Sequence, residues 1–175
     1  MKRATRGAVT VHVAASPERV YALVSDVTRM GEWSPETNRC RWLGTEEPVP
    51  GARFKGYNRR GRARWSNTLV VVSAEPGREF SFRRDVLPCG VCDWRYSMEA
   101  DGDGTRLTES YEVVKPDWRI TNWFNGILLG VADRDDDLLA GIRTTLAGIK
   151  AAAEAQADAE ASAHRAAHLT NVSER

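Results

Sequence analysis

Long hydrophobic runs, paired cysteines and an excess of one charge are all missing from this sequence, and each absence removes a class of protein. No run of about 18 apolar residues occurs, so no segment reads as a membrane-spanning helix. The opening Met-Lys-Arg-Ala-Thr-Arg leads into an alternation from Ala8 to Ala15 instead of the apolar core of a signal peptide; a soluble, cytoplasmic chain without membrane insertion is expected. Cys40, Cys89 and Cys92 are an odd count with no export signal, which argues against a disulfide framework. Lys and Arg total 25 against 24 Asp and Glu, so a formal charge of +1 selects neither nucleic acid nor an anionic membrane. No internal repeat or long Pro/Gly/Ser linker divides the 175 residues. A chain of that size forms one domain that buries roughly two-thirds of its unfolded surface.

What is present is a change of period. From about Gly51 to Val114 the residues alternate as strands do, and from about Val131 they follow one long helical pattern with no return. Strands bunched ahead of a single closing helix predict an α+β domain whose sheet grips that helix. Val9, Val11 and Val13 form one face of a first strand, with His12 on the other. Ser16 is placed to cap a short helix that has Pro17 at its first position, Glu18 at its positive end, and Val20, Leu23, Val24 and Val27 as its buried stripe. Further strands are expected near Thr37 to Leu43, Ala52 to Asn58, Ala63 to Ala74, Glu79 to Arg84, Val91 to Glu99 and Thr105 to Val114, separated by Gly- and Pro-rich turns. Counting the first, they predict an antiparallel meander of seven. Asp133, Asp135, Asp136 and Asp137 mass at the start of the closing helix, and Leu138, Leu139, Ile142, Leu146 and Ile149 form its apolar stripe. Beyond Ile149 the stripe stops, so the Ala-rich stretch is expected to project as a fraying helix or to be disordered. The expected organisation is an N-terminal tail over 1–7, a folded domain over 8–150 and a tail over 151–175.

Strand parity locates a candidate pocket. Taking the aromatic side as inward, the strands present Phe54, Gly56 and Asn58; Trp65, Asn67, Leu69 and Val71; Phe80 and Phe82; Cys92, Trp94, Tyr96 and Met98; and Leu107, Glu109, Tyr111 and Val113. Asn58, Asn67 and Glu109 are polar exceptions on an apolar face, where each must find a partner or face a hydrated cavity. Gly141, Thr145 and Gly148 share one shoulder of the closing helix; they either line a cavity or admit a close strand or ring. Trp118, Trp123 and Phe124, just ahead of that helix, form either a lid over the cavity mouth or a packed plug. The candidate binding set is therefore Phe54, Asn58, Trp65, Asn67, Phe82, Trp94, Tyr96, Glu109, Tyr111, Trp123, Gly141, Thr145 and Gly148.

Three other patterns carry less. Cys89-Gly90-Val91-Cys92 lies across a hairpin turn and does not open a helix, so no helix dipole lowers a redox thiol there, and no four-ligand zinc set or cofactor motif is found. Asp101-Gly102-Asp103-Gly104 echoes a calcium loop, but Arg106 stands where such a loop needs glycine, and a tight turn is expected. Arg53, Lys55, Arg59, Arg60, Arg62 and Arg64 fall mostly opposite the inward parity or in a turn, as a solvated convex face; with little aromatic interleaving, no nucleic-acid partner is expected.

Several stretches together resemble the SRPBCC superfamily: Ala15-Ser16-Pro17-Glu18-Arg19-Val20-Tyr21 with Asp26 and Trp33-Ser34-Pro35, then Gly51 to Gly61 with Trp65, Ala74 to Phe80, and Gly104 to Glu109. The later pieces resemble its polyketide cyclase/dehydrase-like branch, and the likeness extends from about Ala8 to Ile149. It implies a START-like helix-grip fold, with a curved seven-stranded antiparallel sheet wrapped around the C-terminal helix and an internal cavity for a hydrophobic ligand. Members include enzymes, carriers and sensors, with no family-wide catalytic motif to transfer. The leading expectation is binding of a hydrophobic or aromatic small molecule, lipid- or polyketide-like, between sheet and helix. An alternative is a polyketide aromatase/cyclase or dehydrase in which Glu109 acts as acid or base and Tyr96 and Tyr111 as proton donors. In the competing structural reading Glu109 pairs with an arginine in the sheet. A third alternative is a protein-interaction module that uses the basic convex face or the tail.

Overall fold

The computed structural model describes residues 4–86, 90–116, 130 and 132–173. Strand β1 (Arg6–Val13) leads through Ser16, whose hydroxyl accepts from the Arg19 N–H at 3.4 Å, into helix α1 (Pro17–Ser25). Val20, Leu23 and Val24 are its buried stripe, as their spacing requires. The Asp26 carboxylate accepts from the Thr28 N–H at 3.1 Å and starts a short 3-10 helix, Val27–Glu32. Six strands follow: β2 (Thr37–Leu43), β3 (Arg53–Arg60), β4 (Ala63–Glu75), β5 (Glu79–Asp85), β6 (Val91–Asp101) and β7 (Gly104–Lys115). The closing helix, α2, spans Arg134–Ser173.

All seven strands form one antiparallel sheet in the order β1-β7-β6-β5-β4-β3-β2. Five of the six pairings join strands adjacent in sequence; the sixth brings β1 to the far side of β7, with Arg6 opposite Glu112 and Val13 opposite Thr105. Register shifts at Val71/Ser73 and Thr37/Arg39 insert extra residues that bend their strands, which helps an open sheet curve around a helix. The architecture is the helix-grip α+β fold expected from the change of period.

The core lies where α2 meets the sheet. Ile142, Leu146 and Ile149 pack with Val13, Phe80 and Leu107, all fully or almost fully buried. Gly148 admits Trp33 so closely that a Cβ there would sit 2.5 Å from the Trp33 Cβ. Of the two readings of that glycine, close approach of a ring is the one found. At Gly141 a Cβ would meet nothing nearer than Pro35 Cγ at 3.7 Å.

Helix α2 does not lose its contacts after Ile149. Ala153 is fully buried, Ala152 and Ala157 pack against the core, and Glu154 accepts from the Ala14 N–H at 2.9 Å and from Lys150 at 2.6 Å. Arg19 on α1 pairs with Glu160. The stripe continues in alanine, whose methyl groups pack where the helix passes the end of β1.

These two glycines predict opposite responses. Gly148→Ala forces Trp33 out of place and is expected to destabilise the fold by about 1–3 kcal/mol. Gly141→Ala meets ordinary contacts and is expected to stabilise it by up to about 1 kcal/mol through helix propensity. Chemical denaturation of the two variants against wild type checks both signs.

Candidate functional site

Between the concave face of the sheet and the first turns of α2 lies a cavity of about 760 Å³. Strand alternation supplies its apolar wall, with Trp65 and Leu69 from β4, Phe82 from β5 and Trp94 from β6. Gly56 stands opposite Asn67 across the β3–β4 ladder and leaves space where any side chain would intrude. Leu138, Gly141, Ile142 and Thr145 on α2 form the facing wall.

Of the expected binding residues, Asn58, Trp65, Asn67, Phe82, Trp94, Tyr96, Glu109, Gly141 and Thr145 line this cavity. Phe54, Gly148 and Tyr111 are placed elsewhere. Phe54 is fully buried behind the wall, packed edge-on against Phe82 at 5.3 Å and Trp42 at 5.6 Å. Gly148 lies against Trp33. Tyr111 shares the parity of Glu109 but stands further along the strand, beside the start of α2, where its hydroxyl donates to Asp135 and its ring lies 5.5 Å from Trp94. Asp135 also accepts from the Thr5 N–H at 2.9 Å, so Tyr111 helps anchor α2 to the chain before β1. Burial, then the Asp135 carboxylate, hold the Tyr111 phenol protonated. Trp118, Trp123 and Phe124 lie outside the described residues, as does Cys89; Cys40 and Cys92 are buried free thiols.

Glu109 is the buried carboxyl of the cavity wall. It faces Tyr96 directly across the β6–β7 ladder, is 4% exposed, and accepts a hydrogen bond on Oε1 from the Tyr96 hydroxyl at 3.0 Å. Its Oε2 is buried without a hydrogen-bond partner. Among the described residues no arginine or lysine pairs with it, so the sheet-arginine reading gives way to the tyrosine. Burial pushes the carboxyl pKa up to about 8, against a smaller lowering by the Tyr96 hydrogen bond. At neutral pH the group is therefore mostly an uncharged acid that has one proton to donate. Leaving such an atom unsatisfied costs about 1–3 kcal/mol.

The cavity rim holds a cluster absent from the expected set. Arg60, at the end of β3, donates to both Asp137 oxygens at 2.7 and 2.5 Å and to Glu36 at 3.0 Å. Arg134 in the first turn of α2 donates to both Glu36 oxygens at 3.0 and 3.1 Å and also to Asp137. Burial raises the Asp137 pKa, but the hydrogen bonds and charges of the two arginines outweigh it and hold this carboxyl below its usual range. Arg60 does not belong to the convex basic face; it continues the inward series Phe54, Gly56, Asn58, and that parity marks it. Glu36 and Arg134 carry no comparable pattern. Asn58, paired with β2, accepts from the Thr37 hydroxyl at 2.8 Å.

A curved antiparallel sheet gripping one long helix around a cavity of mixed apolar and polar lining defines a helix-grip protein. The chain belongs to the family described as polyketide cyclase / dehydrase and lipid transport, whose model matches residues 4–154. A polyketide-cyclase-like protein of Corynebacterium glutamicum, solved in solution by NMR, is 35% identical, with 86% of this chain and 91% of that one covered and a TM-score of 0.58. An aromatase/cyclase of Streptomyces sp. R1128 has the same fold at 18% identity, covering 87% and 93% of the two chains, with a TM-score of 0.59. One half of a di-domain aromatase/cyclase from the steffimycin pathway superposes with a TM-score of 0.70 at 16% identity, the match covering 88% of this chain and 52% of that one. No curated protein sequence matches the chain.

The raised pKa of Glu109 makes stability depend on pH with a definite sign. The carboxyl is protonated in both states below about 4.5, whereas between about 4.5 and about 8 the folded chain keeps a proton that the unfolded chain has released. Its contribution is thus fully present at low pH and is lost across that window, at up to about 1.4 kcal/mol per pH unit. Glu109→Gln is expected to flatten this slope and to exceed wild type in stability by a few kcal/mol at pH 8. Denaturation free energies measured from pH 5 to pH 8 check it.

Proposed function

We propose that the protein binds a hydrophobic or aromatic small molecule, lipid- or polyketide-like, in the cavity between sheet and α2. The observation that carries this reading is a space of about 760 Å³ with Trp65, Leu69, Phe82 and Trp94 in its wall, and with Asn67, Glu109 and the Arg60–Arg134 cluster among the polar groups that share it. A packed interior fills such space with side chains, and a void of this size left unused is destabilising. The protein-interaction alternative calls for an occluded interior, so the cavity weighs against it. No helix among the described residues is long and apolar enough to cross a membrane, which fits a cytoplasmic carrier or enzyme.

The second reading, an aromatase/cyclase or dehydrase, is favoured by one observation: a buried carboxylic acid at the cavity wall with an unpartnered oxygen. Glu109 would exchange a proton with a bound polyketide chain while Tyr96 holds the carboxyl in place. Tyr111, turned to Asp135, drops out of that scheme.

N-phenyl-1-naphthylamine, a neutral fluorescent aromatic, is expected to bind the purified chain with a blue-shifted emission. Gly141→Trp, which projects an indole into the cavity, is expected to weaken that binding about tenfold. Equal binding by both proteins would count against the cavity as the site. For the enzyme reading, Glu109→Gln is expected to abolish turnover of a poly-β-keto thioester while leaving its binding intact. Unchanged turnover would rule out Glu109 as the acid.

A further inference from the structure

Glu109 and Tyr96 form a pair whose hydrogen bonding is complete on one side and open on the other. The Tyr96 hydroxyl donates to Oε1, so the acid proton belongs on Oε2, and no protein atom accepts it. Glu109 lines the cavity, as do Phe82 and Trp94 on the same face of the sheet. Oε2 is itself covered, so presenting that proton to a molecule in the cavity takes a turn about the Cγ–Cδ bond that exchanges the two oxygens, the Tyr96 hydroxyl then donating to the protonated one. Binding sites that hold a buried polar group discriminate strongly, because a ligand lacking the complementary atom leaves the group unpaired.

We propose that Glu109 sets ligand class by donating a hydrogen bond to a carbonyl-type oxygen, so the cavity prefers aromatic ketones and quinones to hydrocarbons of the same shape. This rests on the binding reading above and narrows it from apolar molecules in general to those with an acceptor oxygen on the ring system.

Among the described groups lining the cavity whose pKa is shifted, Glu109 is the one brought near 8. Tyr96 on β6, raised by burial and then by the Glu109 charge, stays neutral. Burial pushes the thiols of Cys40 on β2 and Cys92 on β6 up to about 12 and about 11. Arg60 and Arg134, whose pKa values are raised, line the cavity together with Arg64 and Arg84. Asp137 is held low by its arginines, and Glu36 is ion-paired with Arg60 and Arg134. His12 lies on the outer side of β1, 3.2 Å from the Asp101 carbonyl.

The test compares 9-fluorenone with fluorene, which differ by one carbonyl, by calorimetric titration of the full chain at pH 6 and pH 9.5. Fluorenone is expected to bind wild type about fivefold more tightly than fluorene at pH 6, and this preference should vanish at pH 9.5, where the acid has lost its proton. Glu109→Gln keeps a donor on Nε2 and an acceptor for Tyr96, so its preference should persist at both pH values. Glu109→Met should bind both compounds equally at either pH. A purely structural Glu109 would leave the ratio insensitive to pH and to these substitutions. If fluorene binds and fluorenone binds no better at pH 6, or if Glu109→Met keeps the preference, the carbonyl assignment is overturned and the cavity reading stands. If neither compound binds, the cavity reading falls and takes this assignment with it.

Discussion

The close seating of Trp33 against Gly148 fixes how α2 lies on the sheet, and the cavity depends on it. A straight helix cannot follow the concave face of a curved sheet along its whole length. Here the contact is spent on the stretch from Ile142 to Ala153, where small residues and Trp33 bring the two layers together. Ahead of that stretch the sheet curves away from the helix, and the gap becomes the cavity. Filling one end densely and leaving the other open is a single packing solution, since each extra close contact near Gly148 holds the opposite end of α2 at its distance from β4 and β5.

Charge closes what packing leaves open. The arginines and carboxylates at the rim join β3, the segment before β2 and the first turn of α2, so the lifted end of the helix is tied by ion pairs instead of apolar contact. Such ties satisfy one another, and each arginine bridges two acids. Glu109, deeper in the wall, has no such partner and is held neutral by burial. One cavity therefore contains two electrostatic regimes, with paired charges at its mouth and an unpaired acid inside.

The sequence made the sheet legible because its alternation is strong: the expected strands agree with the observed ones to within a few residues, and parity put Trp65, Asn67, Phe82, Trp94, Tyr96 and Glu109 on the face that lines the cavity. Parity names a face and says nothing of position along it. Phe54 and Tyr111 share that face and still fall outside the cavity, because Phe54 is covered by Trp42 and Phe82 and Tyr111 meets Asp135 at the helix start. Gly148 was ambiguous for a related reason: a helix shoulder of small residues marks close approach and open space equally well, and the spacing to Trp33 is long-range. Arg60 could have been read from the β3 alternation, whereas its partners on α2 and before β2 depend on how distant segments meet. The alanines after Ile149 hold little apolar area, so their burial leaves almost no hydrophobic signal.

The pairing of β1 with β7 bears on how the chain is made. Arg6 finds its partner at Glu112 and Val13 at Thr105, so the first strand leaves the ribosome roughly a hundred residues before the strand that covers its edge. Adjacent hairpins from β2 to β7 can assemble as they emerge, but β1 must wait, and α2 arrives later still. The β1–β7 pairing and the packing of α2 on β1 are thus long-range closures, of the sort that slows folding in sheet proteins. Until they form, the valine-rich β1 has both edges without a strand partner, and β7 then covers one of them.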